Sequence, residues 1–383
     1  MNKVITGAYT TAQIYTAKES GIDQYAEAQL HMICDQPASE GCRIRVMPDV
    51  HPGKVGTIGL TMTIGDKIMP NLIGIDIGCG MTLAQIKGKK IEFQKLDSVI
   101  RENVPTGFNI RNKAHHMAET FDFSVLRCAS HIRTEKAVQS LGTLGGGNHF
   151  IEADKDDDGS LYVVIHSGSR HLGKEVTEHY LNEGQKYLKN KGVDIPYEIT
   201  WLEGELMHDY IHDLVIVQKY ASLNREIILS ELLKGMKWKA LDSYECIHNY
   251  VDTSEETLNL FDAPMLRKGA ISAKKDEKVI IPINMRDGII LGTGLGNVDW
   301  NTSAPHGSGR IMKREDVKSH FTVSSYKSEM KGIYTSCICK ETLDEAPFAY
   351  RAINEITDVI GETVRIDKVI RPVYNYKDKG EKN

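Results

Sequence analysis

Residues 72–86 read LIGIDIGCGMTLAQI. The run is apolar and rich in β-branched residues, which predicts a strand bounded by glycine. Within it GIDIGCG (74–80) has the look of a loop at a strand end, with an acid and a thiol, Asp76 and Cys79, set among glycines. Glycine permits tight turns and close approach of the backbone to a ligand, so the polar residue beside it is presented to that ligand.

Outward from this stretch the chain keeps mixing strand and helix. VGTIGLTMTI (55–64) and LYVVIHS (161–167) predict strands, the second ending in SGSRHLG. KEVTEHYLNEGQKYLKN (174–190) has amphipathic helical spacing, and 202–238 is helical with almost no breakers. KVIIPI (278–283) and GIILG (288–292) return to strand. No βαβ regularity links these elements, so the expected class is α+β. No repeat, low-complexity tract or Pro/Gly/Ser linker divides the 383 residues, which are expected to form one domain, 1–383.

A hydrophobic share of 41% with 26% charged residues excludes a disordered chain. The start, MNKVITGAYTTAQIYTAKES, lacks the basic-then-apolar order of a secretory signal, and no stretch is apolar enough to span a bilayer. The expected location is the cytoplasm, with no membrane partner. Seven cysteines, an odd number in so long a chain, read as free thiols or metal ligands. A net charge of −5 gives a nucleic-acid partner no support, although a local basic cleft would suffice.

Chemistry concentrates in short glycine-containing segments: MPDVHPG (47–53), GIDIGCG (74–80), GGGNHFIE (145–152), HSGSRHLG (166–173) and HGSGR (306–310), with IHN at 247–249. Asp76, Cys79, His149, His166 and His248 form a mixed oxygen, sulfur and nitrogen set suited to zinc, manganese or a similar ion, and five donors exceed one tetrahedral site. Two metals sharing Cys79 would use them all. Each histidine taken alone is more readily a hydrogen-bonded structural residue; the grouping beside glycine is what packing does not require. GTLGGGNH, SGSRHLGK and GSGR can offer backbone N–H groups to phosphate, with Arg170 and Arg310 as planar donors. Gly168 to Lys174 resembles a P-loop, but Glu175 stands where the Ser or Thr is needed. His306, surrounded by glycine, is a candidate nucleophile toward phosphorus; a metal ligand or a turn histidine has the same spacing. No K-x-D-G lysine motif of the common nucleotidyl-transferring ligases is present.

The ordered series MPDVH, DIGCG, GGGNHF, HSGSR, HN, RKGA (267–270), HGSGR and EAP (345–347) resembles the RtcB family of RNA ligases from about residue 40 to the C-terminus. The resemblance implies that family's own α+β fold, with central sheets carrying the active-site loops and helices around them. It also implies two Mn²⁺ ions, GTP, and the joining of RNA 2′,3′-cyclic phosphate or 3′-phosphate ends to 5′-hydroxyl ends through histidine-GMP and a 3′-guanylylated RNA. By this similarity Cys79 bridges the metals, Asp76 and His149 complete one site, and His166 and His248 complete the other. His306 carries GMP. Asn148, Phe150, Glu152, Asn284, Gly307, Gly309, Arg310, Tyr350 and Lys377 surround the nucleotide, and Asp49 and Arg170 touch RNA or phosphate. Broken tRNA or rRNA is the implied substrate, in repair or tRNA splicing. An archease-like activator or an RNA-damage release-factor homologue is the implied partner.

Two departures stand out. PINM (282–285) replaces the usual PGSM, so Ile283 and Asn284 stand for a Gly-Ser pair, and His171 stands where many members have Gly. The first gives weight to an alternative, a two-metal phosphoesterase acting on cyclic phosphate ends without ligation. Against it, a hydrolase needs no guanylyl carrier. A non-catalytic RNA-binding protein would need neither the five donors nor His306.

Overall fold

The computed structural model describes residues 2–16 and 21–380, so the N-terminal stretch read for a leader lies partly outside the described residues. Two large sheets carry the chain. The first has six strands in the order Asn2–Thr6, Thr11–Tyr15, Ile44–His51, Ile58–Thr63, Met265–Lys268 and Asn249–Asp252. The second has seven, ordered Ala240–Ile247, Gly80–Ile86, Leu161–Ser167, Phe150–Lys155, Val364–Tyr376, Gly288–Gly294 and Lys278–Asn284. Every neighbouring pair described in the second sheet is antiparallel, while in the first Thr11–Tyr15 runs parallel to Ile44–His51. Antiparallel pairing with helices packed outside gives the α+β class that the sequence predicts.

Leu161–Ser167 shows why the second sheet is apolar throughout. All seven of its residues are buried, and its two faces serve different cores. Tyr162 and Val164 join Met81, Phe150 and Ile280 on one side, while Leu161, Val163 and Ile165 join Ile100, Ile228 and Leu232 on the other. Because side chains alternate at period two, a sheet covered on both faces needs an unbroken apolar run. The cover on the second face includes Gly204–Met236, a helix of 33 residues. Among the described residues no helix is long and apolar enough to cross a membrane.

The strand expected over 72–86 is shorter, Gly80–Ile86. Its first half is a loop pressed onto the long helix, and Leu72, Ile73 and Ile77 are apolar because they fill the core beneath it. At Gly78 the backbone turns with φ +68°, and a Cβ there would lie 2.9 Å from both Ala221 and Gln218. Only glycine lets the loop lie this close. The helix expected over 174–190 starts earlier, at Arg170, and the 202–238 region opens with a two-residue strand, Leu202–Glu203, before Gly204–Met236. Lys278–Asn284 and Gly288–Gly294 extend the two later strands slightly beyond their predicted ends.

Candidate functional site

The five candidate donors meet at one end of the seven-stranded sheet. Asp76 and Cys79 precede Gly80–Ile86, His149 precedes Phe150–Lys155, His166 lies near the end of Leu161–Ser167, and His248 follows Ala240–Ile247. Antiparallel register brings them together, since His166 stands opposite both Met81 and Phe150, and Ile247 opposite Gly80. Cys79 Sγ is 3.4 Å from His149 Nε2 and 3.3 Å from His166 Nε2. His166 Nε2 lies 3.0 Å from His248 Nε2, and His149 Nε2 lies 3.0 Å from Asp76 Oδ2. The donors form two sets, Asp76–Cys79–His149 and Cys79–His166–His248, each with its atoms within 4.8 Å of one another.

The chemistry of these donors fits cations. His166 Nδ1 faces the Asn148 carbonyl at 3.2 Å, so Nδ1 carries the proton and Nε2 presents a lone pair to the cluster. Burial holds both His166 and His248 well below the usual imidazole range, with neighbouring histidines adding to the effect. The His166 lone pair points at His248 Nε2 and Cys79 Sγ, and a cation among these three atoms would bind all of them. Burial also raises the Cys79 thiol well above its ordinary value, so a thiolate there requires an adjacent positive charge. Nitrogen, sulfur and carboxylate donors together suit a transition ion.

The loops that carry these donors are tied together by two adjacent residues of the long helix. Asn224 Oδ1 accepts from the Gly142 and Thr143 N–H groups, and its Nδ2 donates to the Thr143 and Gly168 carbonyls and to Ser167 Oγ. Arg225 donates to the Gly78 and Ser167 carbonyls and pairs with Glu245. Sequence reading missed both, because a polar pair inside a long helical pattern looks like a solvated face; here both are fully buried.

His306 follows the Ser303–Pro305 strand, its ring centroid 4.7 Å from that of His248. Its Nδ1 lies 2.6 Å from Asp49 Oδ2, and its backbone N–H donates to the same oxygen at 3.2 Å. Nδ1 is thereby committed, leaving Nε2 with the free lone pair. Gly309 has φ +77°, and a Cβ there would stand 2.4 Å from the Asp49 carbonyl oxygen, so the HGSGR loop can lie on this strand only with glycine at that position. Asp49, expected at an RNA or phosphate contact, is 0% exposed and sits behind His306. Its carboxylate faces the His306 imidazole.

With His306, all nine residues expected around a nucleotide line one pocket: Asn148, Phe150, Glu152, Asn284, Gly307, Gly309, Arg310, Tyr350 and Lys377. Lys377 Nζ stands 5.3 Å from the Phe150 ring centre and 3.2 Å from Glu345 Oε2, and the Arg310 guanidinium stands 5.1 Å from the centre of the Tyr350 ring. Burial alone would raise Glu345, but Lys377, Arg314 and Arg310 hold its carboxyl down to about 2. An anion at the pocket wall thus gathers three cations there. Asn284 lines the pocket with its side chain already committed: Oδ1 accepts from the Arg286 and Asp287 N–H groups and Nδ2 donates to Asp287. Ile283 is 2% exposed and packs in the core, and its carbonyl accepts from Ser308 Oγ at 2.7 Å, which binds the PINM turn to the histidine loop. His51, Arg314, Glu345 and Asn375 also line the pocket and were not singled out from sequence. Glu345 and His51 lie inside quoted motifs, whereas Arg314 and Asn375 carry no local signal.

A second cleft opens on the far side of the donors. Asp76 lines it with Ile75, Lys136, Arg170, His171, Lys174 and the fully exposed Phe108. Arg170 donates to the Gly107 carbonyl at 2.8 Å and holds a left-handed backbone, φ +54°, which a residue with a Cβ keeps only when its surroundings enforce it. The donor cluster therefore stands between two openings, with His166 on the wall of one and Asp76 on the wall of the other.

Comparison with known proteins gives a family match over nearly the whole chain, to the family described as "tRNA-splicing ligase RtcB", at residues 29–128 and 115–378. The chain is 28% identical over 370 residues to the RNA-splicing ligase RtcB of Escherichia coli (strain K12), covering 86% of this chain and 88% of that protein. It is 27% identical to the RNA-splicing ligase RtcB2 of another Escherichia coli strain, with 94% of each chain covered. To the tRNA-splicing ligase RtcB of Aeropyrum pernix it is 26% identical, covering 82% of this chain and 83% of that protein.

Proposed function

The chain belongs to the RtcB family, and from that premise we propose that it is an RNA ligase that joins 2′,3′-cyclic phosphate or 3′-phosphate ends to 5′-hydroxyl ends, using GTP and two Mn²⁺ ions. The observation that carries this reading is the placement of the donor cluster between a pocket holding His306 and a cleft lined by Lys136, Arg170 and Lys174. A nucleotide on one side and an RNA end on the other would meet at the same ions. A phosphoesterase would have no use for the first pocket, and that alternative is not favoured.

His306 Nε2 attacks the α-phosphorus of GTP, forming an N–P bond as the bond to pyrophosphate breaks. Asp49 keeps the proton on Nδ1 and offsets the positive charge that the ring acquires. Arg310 and Arg314 offset charge on phosphate oxygens, while Lys377 reaches the base that Phe150 and Tyr350 flank. A cyclic end is first opened by water, which breaks the P–O2′ bond; the guanylyl group then passes to the RNA 3′-phosphate, whose phosphorus the 5′-hydroxyl attacks with loss of GMP. Asp76, Cys79 and His149 would hold one ion and Cys79, His166 and His248 the other; such ions polarise phosphoryl oxygens. Arg170, with Lys136 and Lys174, takes the backbone of broken tRNA or rRNA in the cleft.

The test is incubation with Mn²⁺ and α-labelled GTP, comparing wild type with His306→Ala, followed by addition of RNA bearing the two kinds of end. Acid-labile label that requires His306 and is discharged into joined RNA is the expected result. Cleavage of cyclic phosphate by a metal-loaded protein that never takes up label would instead establish the phosphoesterase.

A further inference from the structure

Glu152 and Asp154 lie two apart on the Phe150–Lys155 strand, so their side chains leave the same face of the sheet. They are 2% and 0% exposed. The two carboxyl groups lie against one another within hydrogen-bond reach. Glu152 Oε2 accepts from Asn375 Nδ2 on the neighbouring strand. Apart from the carboxyl–carboxyl contact, Glu152 Oε1 and both oxygens of Asp154 meet no donor among the described residues.

The surroundings supply little compensating charge. On one flank Val164 and Tyr162 stand opposite the pair, and the Tyr162 hydroxyl is committed to Asp156. On the other flank Asn375 and Pro372 stand opposite it. Among the described residues Lys377 is the cation that acts on Glu152, and none acts on Asp154. Two dry carboxylates in contact, with one cation acting on one of them, cannot both be charged, so a proton is shared.

We propose that Asp154 holds this proton and donates it toward Glu152, which makes Asp154 a positioning residue that keeps Glu152 an anionic acceptor in the pocket wall and thereby selects a guanine base. The inference rests on the nucleotide reading of the pocket. Guanine presents two adjacent donors, the ring N1–H and the exocyclic amine, which a carboxylate matches; adenine presents a bare N1 acceptor at the same edge. A protonated Glu152 would lose that discrimination. The titration directions agree: burial raises both groups, and the Glu152 charge raises Asp154 as well. Asn375 and Lys377 both favour charge on Glu152 and neither acts on Asp154, so Asp154 is the group that retains the proton.

The experiment measures GTP and ATP affinity of the full chain across pH for wild type, Asp154→Asn and Asp154→Val, with unfolding temperatures as a control on folding. An Asn amide still donates to Glu152, so Asp154→Asn should keep the preference for GTP. Val removes the donor and leaves Glu152 buried and protonated at neutral pH. The GTP preference should then fall roughly tenfold and return at alkaline pH as Glu152 ionises. A purely structural role for Asp154 would not produce a loss that pH restores. A Val variant with the wild-type preference and pH profile would overturn the proposal. If that variant does not fold, an infrared difference spectrum between wild type and Asp154→Asn at neutral pH decides: a carboxylic-acid C=O band in wild type alone supports the shared proton, and its absence refutes it. A wild type that shows this band but no preference for GTP over ATP would instead overturn the nucleotide reading.

Discussion

His306 Nδ1 and Asp49 Oδ2 are 2.6 Å apart, an imidazole backed by a carboxylate with no exposed surface. In the proposed reaction the pair would set the tautomer and stabilise the charged ring that attack on phosphorus creates. Asp49→Asn keeps the shape but loses the charge, and its amide can enforce the wrong tautomer. Label transfer from GTP in a single turnover should slow by roughly 10²–10⁴-fold, as in other imidazoles deprived of a backing carboxylate. A variant that reacts within about threefold of wild type would show that the carboxylate is dispensable.

Sharing of one thiolate by both donor sets predicts an asymmetry in metal binding. Stripped wild-type protein should take up about two equivalents of Mn²⁺, as a paired-metal site requires. Cys79→Ala should impair both sites, whereas His149→Ala leaves Cys79, His166 and His248 intact and should spare one. Metal content after desalting reads this directly, and equal losses in the two variants would count against a bridging thiolate.

Asn224 is a fully buried amide whose bonds tie the Gly142–Thr143 loop before Phe150–Lys155 to the end of Leu161–Ser167 and the Gly168 carbonyl that follows it. Asn224→Ala strands several buried polar groups at once, and the expected destabilisation is roughly 3 kcal/mol or more. Denaturant unfolding measures it. A loss below about 1 kcal/mol would mean that the loops hold their shape without the clamp.

Lys268, in RKGA, is 7% exposed, and its Nζ has a single described hydrogen bond, to the Asn71 carbonyl at 3.4 Å. Burial lowers it from 10.5 to about 8. Below pH 8 the ammonium is charged in both states and the folded protein bears the full penalty. Between the two values the unfolded chain binds more protons, so stability rises with pH and the penalty fades. Lys268→Met should therefore stabilise the protein by roughly 1–3 kcal/mol at neutral pH, with the gain shrinking toward pH 10.5. A pH-independent difference in chemical denaturation would contradict a buried charge.

Most strands and the long helix are legible because periodicity is a local property: Leu161–Ser167 and Gly204–Met236 match their predicted spans within a few residues. The 72–79 segment misleads for a physical reason. A loop buried under a helix needs the same apolar residues as a strand, and Leu72, Ile73 and Ile77 satisfy both descriptions. Asn284 is a comparable case in the pocket: its position is legible, but the turn that consumes its side chain is not.

What the sequence alone determined is the kind of chemistry, because a thiol, imidazoles and carboxylates set beside glycine limit what a ligand can be. Antiparallel register decided the rest. It alone places His166 opposite Met81 and Phe150, so that Cys79, His149 and His166 converge. Likewise only packing sets Asp49 behind His306, the Asn224–Arg225 pair beneath the loops, and Asp154 against Glu152. These relationships join residues far apart in the chain or depend on burial, and neither distance across strands nor exclusion of water is encoded in a local pattern.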